Sequence, residues 1–440
     1  MSFLANLTRG GRRAAAALAT LATLAALGGA PAWAPPAAAA TVALAAGADL
    51  AAAVAAAQPG DVLALAPGSY TGGIVIDKPL TLEGPPDRAA VIAGTRQGRT
   101  LWIKAEDVTL RNLTITRSGL SLSEMDAGVF LDRGAHRARI EHNDILDNLV
   151  GVHVWGPHDA LVRANRIVGN RELRVAERGN GLTLWNTPGT RILDNDISAG
   201  RDGIFVNTSR RNTFSGNHFH DLRYAVHYMY TNDSEISGNV STGNDIAYAI
   251  MYSHRLVVQG NVARDSREQG LMLNYANQSR ITGNTVDGAG KCVFIYNANN
   301  NAFLDNHFAN CDIGVHYTAG SDGNQISGNA FLHNKNQVKY VGTRTLDWAV
   351  NGRGNYWSDN TAFDLDGDGI ADTAYRPNDV VDQLLWRAPA ARILLNSPSI
   401  SIVRWAQSQF PAILPGGVID SAPLMQPPPR PAAARAKETP

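Results

Sequence analysis

A histidine and three methionines are spaced so that their side chains could meet on one surface. Met229 and Met251 each stand ten residues before an asparagine of an internal repeat, Met272 lies two residues off that position, and His227 precedes Met229 by two residues. Thioether and imidazole ligands together favour Cu(I) over zinc or calcium. The pattern therefore predicts a copper site made of His227, Met229, Met251 and Met272.

Packing is a competing interpretation of the same residues. Methionine at strand spacing commonly fills space against a stacked neighbour, because its unbranched thioether adapts to irregular surfaces. Such an apolar patch would also include Tyr228, Tyr230, Tyr248 and Tyr252. The other outward histidines, His153 and His316, are predicted to be isolated surface residues, and no ligand-like spacing is seen at His142, His218 and His307.

A second candidate ion site follows the repeats. Its aspartates stand at positions 1, 3, 5 and 9 of a loop with glycine at position 6, the arrangement of an EF-hand-type calcium loop. Position 12 carries Tyr375 in place of the usual glutamate. The pattern predicts either a calcium site or an Asx-rich turn that closes the preceding domain, formed by Asp364, Asp366, Asp368 and Asp372.

Two cysteines, Cys292 and Cys311, are separated by 19 residues, three fewer than one repeat. In an oxidising compartment a disulfide is the first expectation for such a pair. Free buried thiols and copper ligation are the alternatives, and the sequence contains no Cys-x-x-Cys motif.

A repeating element must position these side chains. Asparagines recur at intervals of 22, 30, 22, 22, 22, 23, 22 and 23 residues, at Asn143, Asn165, Asn195, Asn217, Asn239, Asn261, Asn284, Asn306 and Asn329. This period, with short alternating strands, is typical of one coil of a parallel β-helix, whose asparagines would stack as a ladder. The longest interval contains the charged stretch Arg171–Arg178, predicted to be a loop that either carries a contact or is merely solvated.

Strand alternation fixes the direction of the side chains within each repeat. In blocks such as Gly203–Val206 the second and fourth residues are apolar and point inward. The third residue and the residue that follows the block, which is the fifth in order, therefore point outward. We therefore predict an all-β, right-handed parallel β-helix over residues 41–360, covered at its start by a short cap helix within Asp49–Ala57. An Asp-rich loop and a C-terminal cap or docking segment follow over residues 361–426, and the proline-rich and alanine-rich residues 427–440 are predicted to be disordered.

The first 40 residues read as a secretory signal peptide. Three arginines precede an apolar run from Ala14 to Leu27, and small residues follow up to Ala40, so the mature chain is expected in the periplasm. The formal net charge is zero and charged residues make up 18% of the chain, which excludes a strongly basic nucleic-acid surface. No other apolar run is long enough for a membrane span, so membrane contact is expected only through a partner.

The segment after the repeats also carries a family resemblance. It contains the run Gly354–Asp359, the Asp-rich loop, and a stretch ending in Leu394–Pro398. Together with the central run His227–Asp233 and the opening run Pro59–Tyr70, this segment resembles the NosD family of periplasmic β-helix proteins, and the similarity covers nearly all of the mature chain.

The resemblance implies a function. NosD-like proteins take part in nitrous oxide reductase maturation beside an ABC-type ATPase and permease, and help deliver copper, or sulfur, to the reductase. It implies a binding protein rather than an enzyme, for which a copper chaperone is a further potential partner. Val380–Trp386 and Ser399–Phe410 are predicted to be short amphipathic helices that, with Trp386 and Trp405, either dock on the permease or simply cap the fold.

An enzyme is the alternative from another class. Gly156–Asp159 is similar to the Asp-Pro-His-Asp motif of alginate C5-epimerases, with glycine in the first position. An epimerase or lyase needs a base, an acid and a cation, and the neighbouring repeats show no convincing basic cluster. A carbohydrate-binding solenoid that uses Trp155 and Trp185 for stacking is also compatible with the pattern.

Overall fold

Parallel strands stack coil upon coil along most of the chain. The computed structural model describes residues 39–318, 320–377, 380–381, 388–394, 397–410 and 416–430. Residues 1–38 of the predicted signal segment lie outside that range. None of the helices in the described part of the chain is long and apolar enough to cross a membrane.

The first face of the solenoid is a parallel sheet of 13 strands. Residues in register on neighbouring coils are commonly 22 apart, as Thr213 and Glu235 are, so the sequence repeat equals one coil. The strands of this face are Thr41–Leu44, Val62–Leu65, Thr81–Glu83, Thr109–Arg111, Arg139–Glu141, Leu161–Arg163, Arg191–Leu193, Thr213–Ser215, Glu235–Ser237, Val257–Gln259, Arg280–Thr282, Ala302–Leu304 and Gln325–Ser327.

The second and third faces belong to one 23-stranded sheet. The second face contains Gly68–Thr71, Ala90–Ala93, Thr114–Thr116, Asp144–Asn148, Arg166–Gly169, Asp196–Ser198, His218–His220, Val240–Thr242, His307–Ala309, Ala330–Leu332 and Tyr356–Trp357. The third face contains Ile74–Ile76, Leu101–Ile103, Ala127–Leu131, Val150–Trp155, Leu182–Trp185, Asp202–Arg210, Tyr224–Asn232, Ile246–Met251, Ile313–Thr318 and Asn336–Val341. Two long strands run through both faces, Val262–Asn274 and Thr285–Tyr296.

Apolar side chains from all three faces fill the interior, and the repeat asparagines stack at one corner. Asn217 donates from Nδ2 to Oδ1 of Asn239 at 2.9 Å, and Asn239 donates in the same way to Asn261 at 2.9 Å. Each backbone N–H of the ladder also donates to the next asparagine, so these buried amides satisfy one another. The predicted parallel β-helix and its asparagine ladder are confirmed.

The start of the solenoid has the predicted cap helix and one further strand. The helix spans Leu50–Ala56, and the side chain of Asp49 caps it by accepting the N–H of Ala52. The further strand, Thr41–Leu44, pairs with Val62–Leu65 and begins directly after the predicted signal segment.

The far end combines a small sheet with two helical segments. Thr345–Asp347 pairs in parallel with Gly417–Ile419, Pro389–Leu394 is a 3-10 helix, and Pro398–Gln409 is an α-helix capped by Ser397. The α-helix agrees with the predicted segment Ser399–Phe410. Trp386 and most of the other predicted helix lie outside the described residues.

The chain then crosses the second face again. Pro428 is buried, and Nη2 of Arg430 lies 3.8 Å from Oδ2 of Asp287. Part of the segment predicted to be disordered therefore packs on the solenoid, and residues 431–440 lie outside the described part of the chain.

Candidate metal centre

His227 and the three methionines lie on the third face, on three successive coils. Met229 is in register with Met251, and Ala249 is in register with His227 on one side and Met272 on the other. The four side chains thus occupy two neighbouring columns, with Met272 in the column of His227. Ala249 carries only a methyl group and stands between His227 and Met272 in that column, which are two coil spacings of roughly 4.8 Å each apart.

The tyrosines around these residues separate into two groups. Tyr228 and Tyr248 point inward and are fully buried, whereas Tyr230 and Tyr252 are exposed and stack on each other with ring centroids 5.1 Å apart. The competing apolar patch of four tyrosines is therefore wrong, since two of them are core residues. The exposed pair continues to Tyr275, whose ring centroid lies 5.0 Å from that of Tyr252.

A buried carboxylate fixes the imidazole of His227. Oδ2 of Asp202, on the preceding coil, lies 3.1 Å from Nδ1 of His227, and it also accepts from Nη2 of Arg223 at 2.7 Å. Asp202 is only 2% exposed, and burial alone would raise its pKa, but the hydrogen bonds from His227 and Arg223 outweigh burial and lower that pKa. An ionised Asp202 can only accept, so Nδ1 of His227 carries the hydrogen and donates it to the carboxylate, which leaves the lone pair of the neutral ring on Nε2.

The second nitrogen of His227 is the distinctive atom of the site. Nε2 is buried and has no hydrogen-bond partner in the described structure, although the residue as a whole is 9% exposed. The rings of Phe205 and Tyr224 lie 5.0 and 5.1 Å from the imidazole, so its surroundings are largely apolar. A metal-ligating histidine has this arrangement, with one nitrogen held by a carboxylate and the other left for the ion.

The sequence did not identify Asp202 or Arg223 as part of the site. Asp202 is in register with Tyr224 on the next coil, and its carboxylate reaches past that position to His227. The only available signal was the 22-residue repeat, which places Asp202 opposite the start of the strand Tyr224–Asn232. The repeat gives the register of the backbone but not the diagonal reach of a side chain.

His153 and His316 differ from their prediction as isolated surface residues. Both lie in the column of His227, but His153 is 5% exposed, and its ring centroid is 5.0 Å from that of Phe130. Burial lowers the pKa of His153 to about 4. Burial, together with Lys339 and Lys291, also lowers the pKa of His316 to about 4.

The Asp-rich loop brings three of its four aspartates together. Asp364, Asp366 and Asp368 can each offer a carboxylate oxygen within 4.8 Å of the others. Asp372 instead accepts the N–H of Leu365 at 2.8 Å, and Asp364 accepts the N–H of Gly367 at 2.7 Å. Such hydrogen bonds from nearby backbone N–H groups to aspartate side chains are typical of an Asx-rich turn. Calcium binding by this loop stays a prediction.

The two cysteines form a disulfide between neighbouring coils, with their Cα atoms 5.7 Å apart. Both are buried, so neither sulfur is available as a copper ligand. Free thiols and copper ligation, the two alternatives to a disulfide, therefore do not apply in this structure.

The epimerase-like motif forms a small cluster at a turn. Nδ1 of His158 lies 2.8 Å from Oδ2 of Asp159, and the ring of His158 stacks on His136 at 3.9 Å. Trp155 and Trp185 stack on each other at 4.2 Å, so each covers one face of the other.

Comparisons with known proteins find one family model and two curated relatives that share the name NosD. The model of a family described as "Periplasmic copper-binding protein (NosD)" matches residues 163–362. A curated relative from Stutzerimonas stutzeri, named "Probable ABC transporter binding protein NosD", is 41% identical over 374 residues, covering 82% of this chain and 85% of the relative. A relative of the same name from Pseudomonas aeruginosa is 39% identical over 384 residues, covering 83% of this chain and 89% of the relative.

A solved structure shows the same fold at much lower identity. The surface protein and adhesin PfbA of Streptococcus pneumoniae superimposes with a TM-score of 0.54 at 11% identity, covering 66% of this chain and 94% of that structure. A similarity at this identity concerns the fold alone.

Proposed function

The chain belongs to the NosD family, and from that premise we propose that it is a periplasmic accessory protein that binds Cu(I) and supplies it to nitrous oxide reductase during assembly of its copper centres. It works beside an ABC-type ATPase and permease. The observation that carries this proposal is the buried Nε2 of His227, which has no partner among the described residues, on a ring oriented by Asp202 and on the face that also carries the three methionines.

The chemistry of these groups suits a transferred ion. Thioethers prefer Cu(I) and bind it without carrying charge, and imidazole is a common copper ligand that can complete such a set. Met229, Met251 and Met272 are each only partly buried, so the ligands of an acceptor protein can reach the ion from the outer side. His227 is held from within by Asp202, so it keeps its orientation as the ion enters and leaves.

Copper is the cargo that the residues support. Sulfur carriage would need a nucleophilic thiol or a persulfide, and Cys292 and Cys311 are bonded to each other. The proposed role is binding and delivery without a catalytic reaction, which agrees with the name "binding protein" of both relatives.

The C-terminal helix is the proposed contact to the permease. Ile402, Trp405 and Phe410 are exposed apolar side chains on or directly after Pro398–Gln409. Exposed apolar side chains on one short helix are typical of a surface that a protein partner covers. A transporter contact there accords with the names of the two relatives, which are ABC transporter binding proteins.

A competitive Cu(I) titration under anaerobic conditions tests the binding step. The wild-type mature chain is compared with the triple variant Met229→Leu/Met251→Leu/Met272→Leu, since leucine preserves volume and removes sulfur. We expect the triple variant to lose at least tenfold in Cu(I) affinity. Met425→Leu, far from these columns in the sequence, is the matched control and should bind as the wild type does.

Equal affinity in the wild type and the triple variant would remove the proposed site. The delivery step has its own readout, the copper content of nitrous oxide reductase isolated from cells that carry the triple variant. We expect a reductase with less copper than in wild-type cells, and an unchanged content would contradict delivery through this site.

A further inference from the structure

We propose that the second face carries a separate site for a divalent transition-metal ion, made of Asp196, His218 and His220. These residues can each offer one ligand atom, and the three atoms lie within 4.8 Å of one another. Asp196 and His218 are register partners on adjacent coils, and His220 is two residues further along on the same side of its strand. Phe219 between the histidines points inward and is buried.

The separations between the ligand atoms suit a metal ion. Oδ1 of Asp196 lies 3.6 Å from Nδ1 of His218 and 3.3 Å from Nε2 of His220. A tetrahedral zinc ion with bonds of about 2.0 to 2.2 Å holds neighbouring ligand atoms about 3.4 Å apart. The three groups therefore need only small side-chain rotations to share one ion.

A further carboxylate orients His220. Nδ1 of His220 lies 3.1 Å from Oδ2 of Asp221, so a proton on Nδ1 is held there and the lone pair of Nε2 faces Asp196. That lone pair and the Asp196 carboxylate are both acceptors, and they face each other favourably only with a cation or a second ring proton between them. The competing explanation is thus a simple ion pair with a protonated His220, which would bind no metal.

The ligand set separates this site from the copper site. Two imidazoles and a carboxylate without sulfur favour divalent ions such as Zn²⁺ or Cu²⁺, whereas the thioethers on the third face favour Cu(I). All three side chains are at least partly exposed, which leaves open coordination positions on the solvent side. Arg166 on the preceding coil is in register with Asp196, and Arg171 lies 3.5 Å from Asp221, so positive charge borders the site without entering the ligand set.

Zinc titration of the untagged, metal-free mature chain tests the proposal. We expect the wild type to bind one Zn²⁺ that the double variant His218→Asn/His220→Asn binds at least tenfold more weakly. His142→Asn is the matched control, because His142 is exposed and has a φ of 57° that asparagine tolerates. The Met229/Met251/Met272 triple variant should keep this Zn²⁺, so this test and the Cu(I) test fail independently.

Equal zinc binding by the wild type and the double variant, or none by the wild type, would overturn the proposal. Cu²⁺ electron paramagnetic resonance adds a ligand count. Coupling to two nitrogens is expected in the wild type and to one in His218→Asn, and an identical spectrum in both would also overturn it. Thermal unfolding in EDTA shows that the variants fold, and if the double variant does not fold, Asp196→Asn and the single histidine variants decide the question.

Discussion

The position of one proton determines what His227 can bind. Asp202 accepts a hydrogen bond from Nδ1–H, so Nε2 keeps its lone pair, and this buried atom has no partner in the described structure. A carboxylate behind the imidazole also raises its strength as a donor to a metal ion. In the proposed copper site Asp202 is thus a positioning residue, which would act on the ion through His227.

The variant Asp202→Asn tests that role. Asparagine keeps the shape but weakens the pull on the Nδ1 proton, so we expect Cu(I) affinity to fall about 10- to 100-fold. The same substitution at Asp196, on the same coil but on the second face, should leave Cu(I) affinity unchanged. Competitive titration measures both, and an unaltered affinity in Asp202→Asn would show that the carboxylate does not orient the ligand.

His153 predicts a dependence of stability on pH. Its folded pKa is about 4, against about 6.5 in the unfolded chain, so the unfolded state binds more protons between these values. The stability that neutral His153 contributes is therefore complete above pH 6.5 and is lost as the pH falls toward 4, at up to about 1.4 kcal/mol per pH unit.

The variant His153→Phe should reduce that dependence, because it removes the titrating imidazole. Phenylalanine should fit there, since Phe205 and Phe294 stand at the corresponding position of other coils. We expect the melting temperature of the wild type to drop more steeply between pH 7 and pH 4.5 than that of the variant. His316 remains in both proteins and contributes the same slope to each. Parallel curves would contradict the assignment to His153.

Among the elements of the fold, the asparagine ladder joins the coils at one corner. Oδ1 of Asn239 accepts from both the backbone and the side chain of Asn217, and its Nδ2 donates to the carbonyl of Phe214 and to Asn261. Replacing Asn239 by alanine therefore leaves the buried N–H of Asn217 without its acceptor and takes the side-chain donor from the carbonyl of Phe214.

The variant Asn239→Ala should be strongly destabilised. Each buried group that loses its partner costs about 1 to 3 kcal/mol, and several are affected together. Asn336→Ala is a suitable control, since the side chain of Asn336 makes one long hydrogen bond of 3.3 Å at the surface. Thermal unfolding followed by circular dichroism should show a much larger fall in melting temperature for Asn239→Ala, and similar melting temperatures would argue against the ladder as a stabilising element.

The repeat predicted those parts of the structure that depend on register. Asn239 and Asn261 stack as expected, and Met229 lies beside Met251, because one period equals one coil. The same arithmetic places Asp196 opposite His218, a partner that the spacing of histidines and methionines alone does not indicate. Contacts that depend on side-chain direction, such as Asp202 with His227, do not follow from the period.

At the scale of the whole molecule, the two proposed metal sites and the helix proposed to dock lie in different parts of the chain. The proposed copper ligands come from residues 227–272, whereas the exposed helix Pro398–Gln409 follows the last coil. Binding of copper and attachment to a transporter should therefore be separable by mutation.

The double variant Ile402→Ser/Trp405→Ser tests this separation. Both side chains are exposed, so we expect little change in melting temperature and none in Cu(I) affinity. Co-purification with the cognate ATPase and permease should fall severalfold. The triple methionine variant should show the reverse result, with normal co-purification and weaker Cu(I) binding. If the double variant co-purifies normally, the docking surface lies elsewhere.

Asp420 ends the ladder. Its Oδ2 accepts the backbone N–H of Asn355 at 2.7 Å and Nε1 of Trp357 at 2.8 Å, at the point where a further asparagine would otherwise stand. An uncapped row of amides could accept the opening coil of another molecule, and repetition of that contact would produce a fibre by end-to-end growth. By accepting from Asn355 at a distance of 65 residues along the chain, this single carboxyl group satisfies the last N–H of the ladder, which such a contact would need.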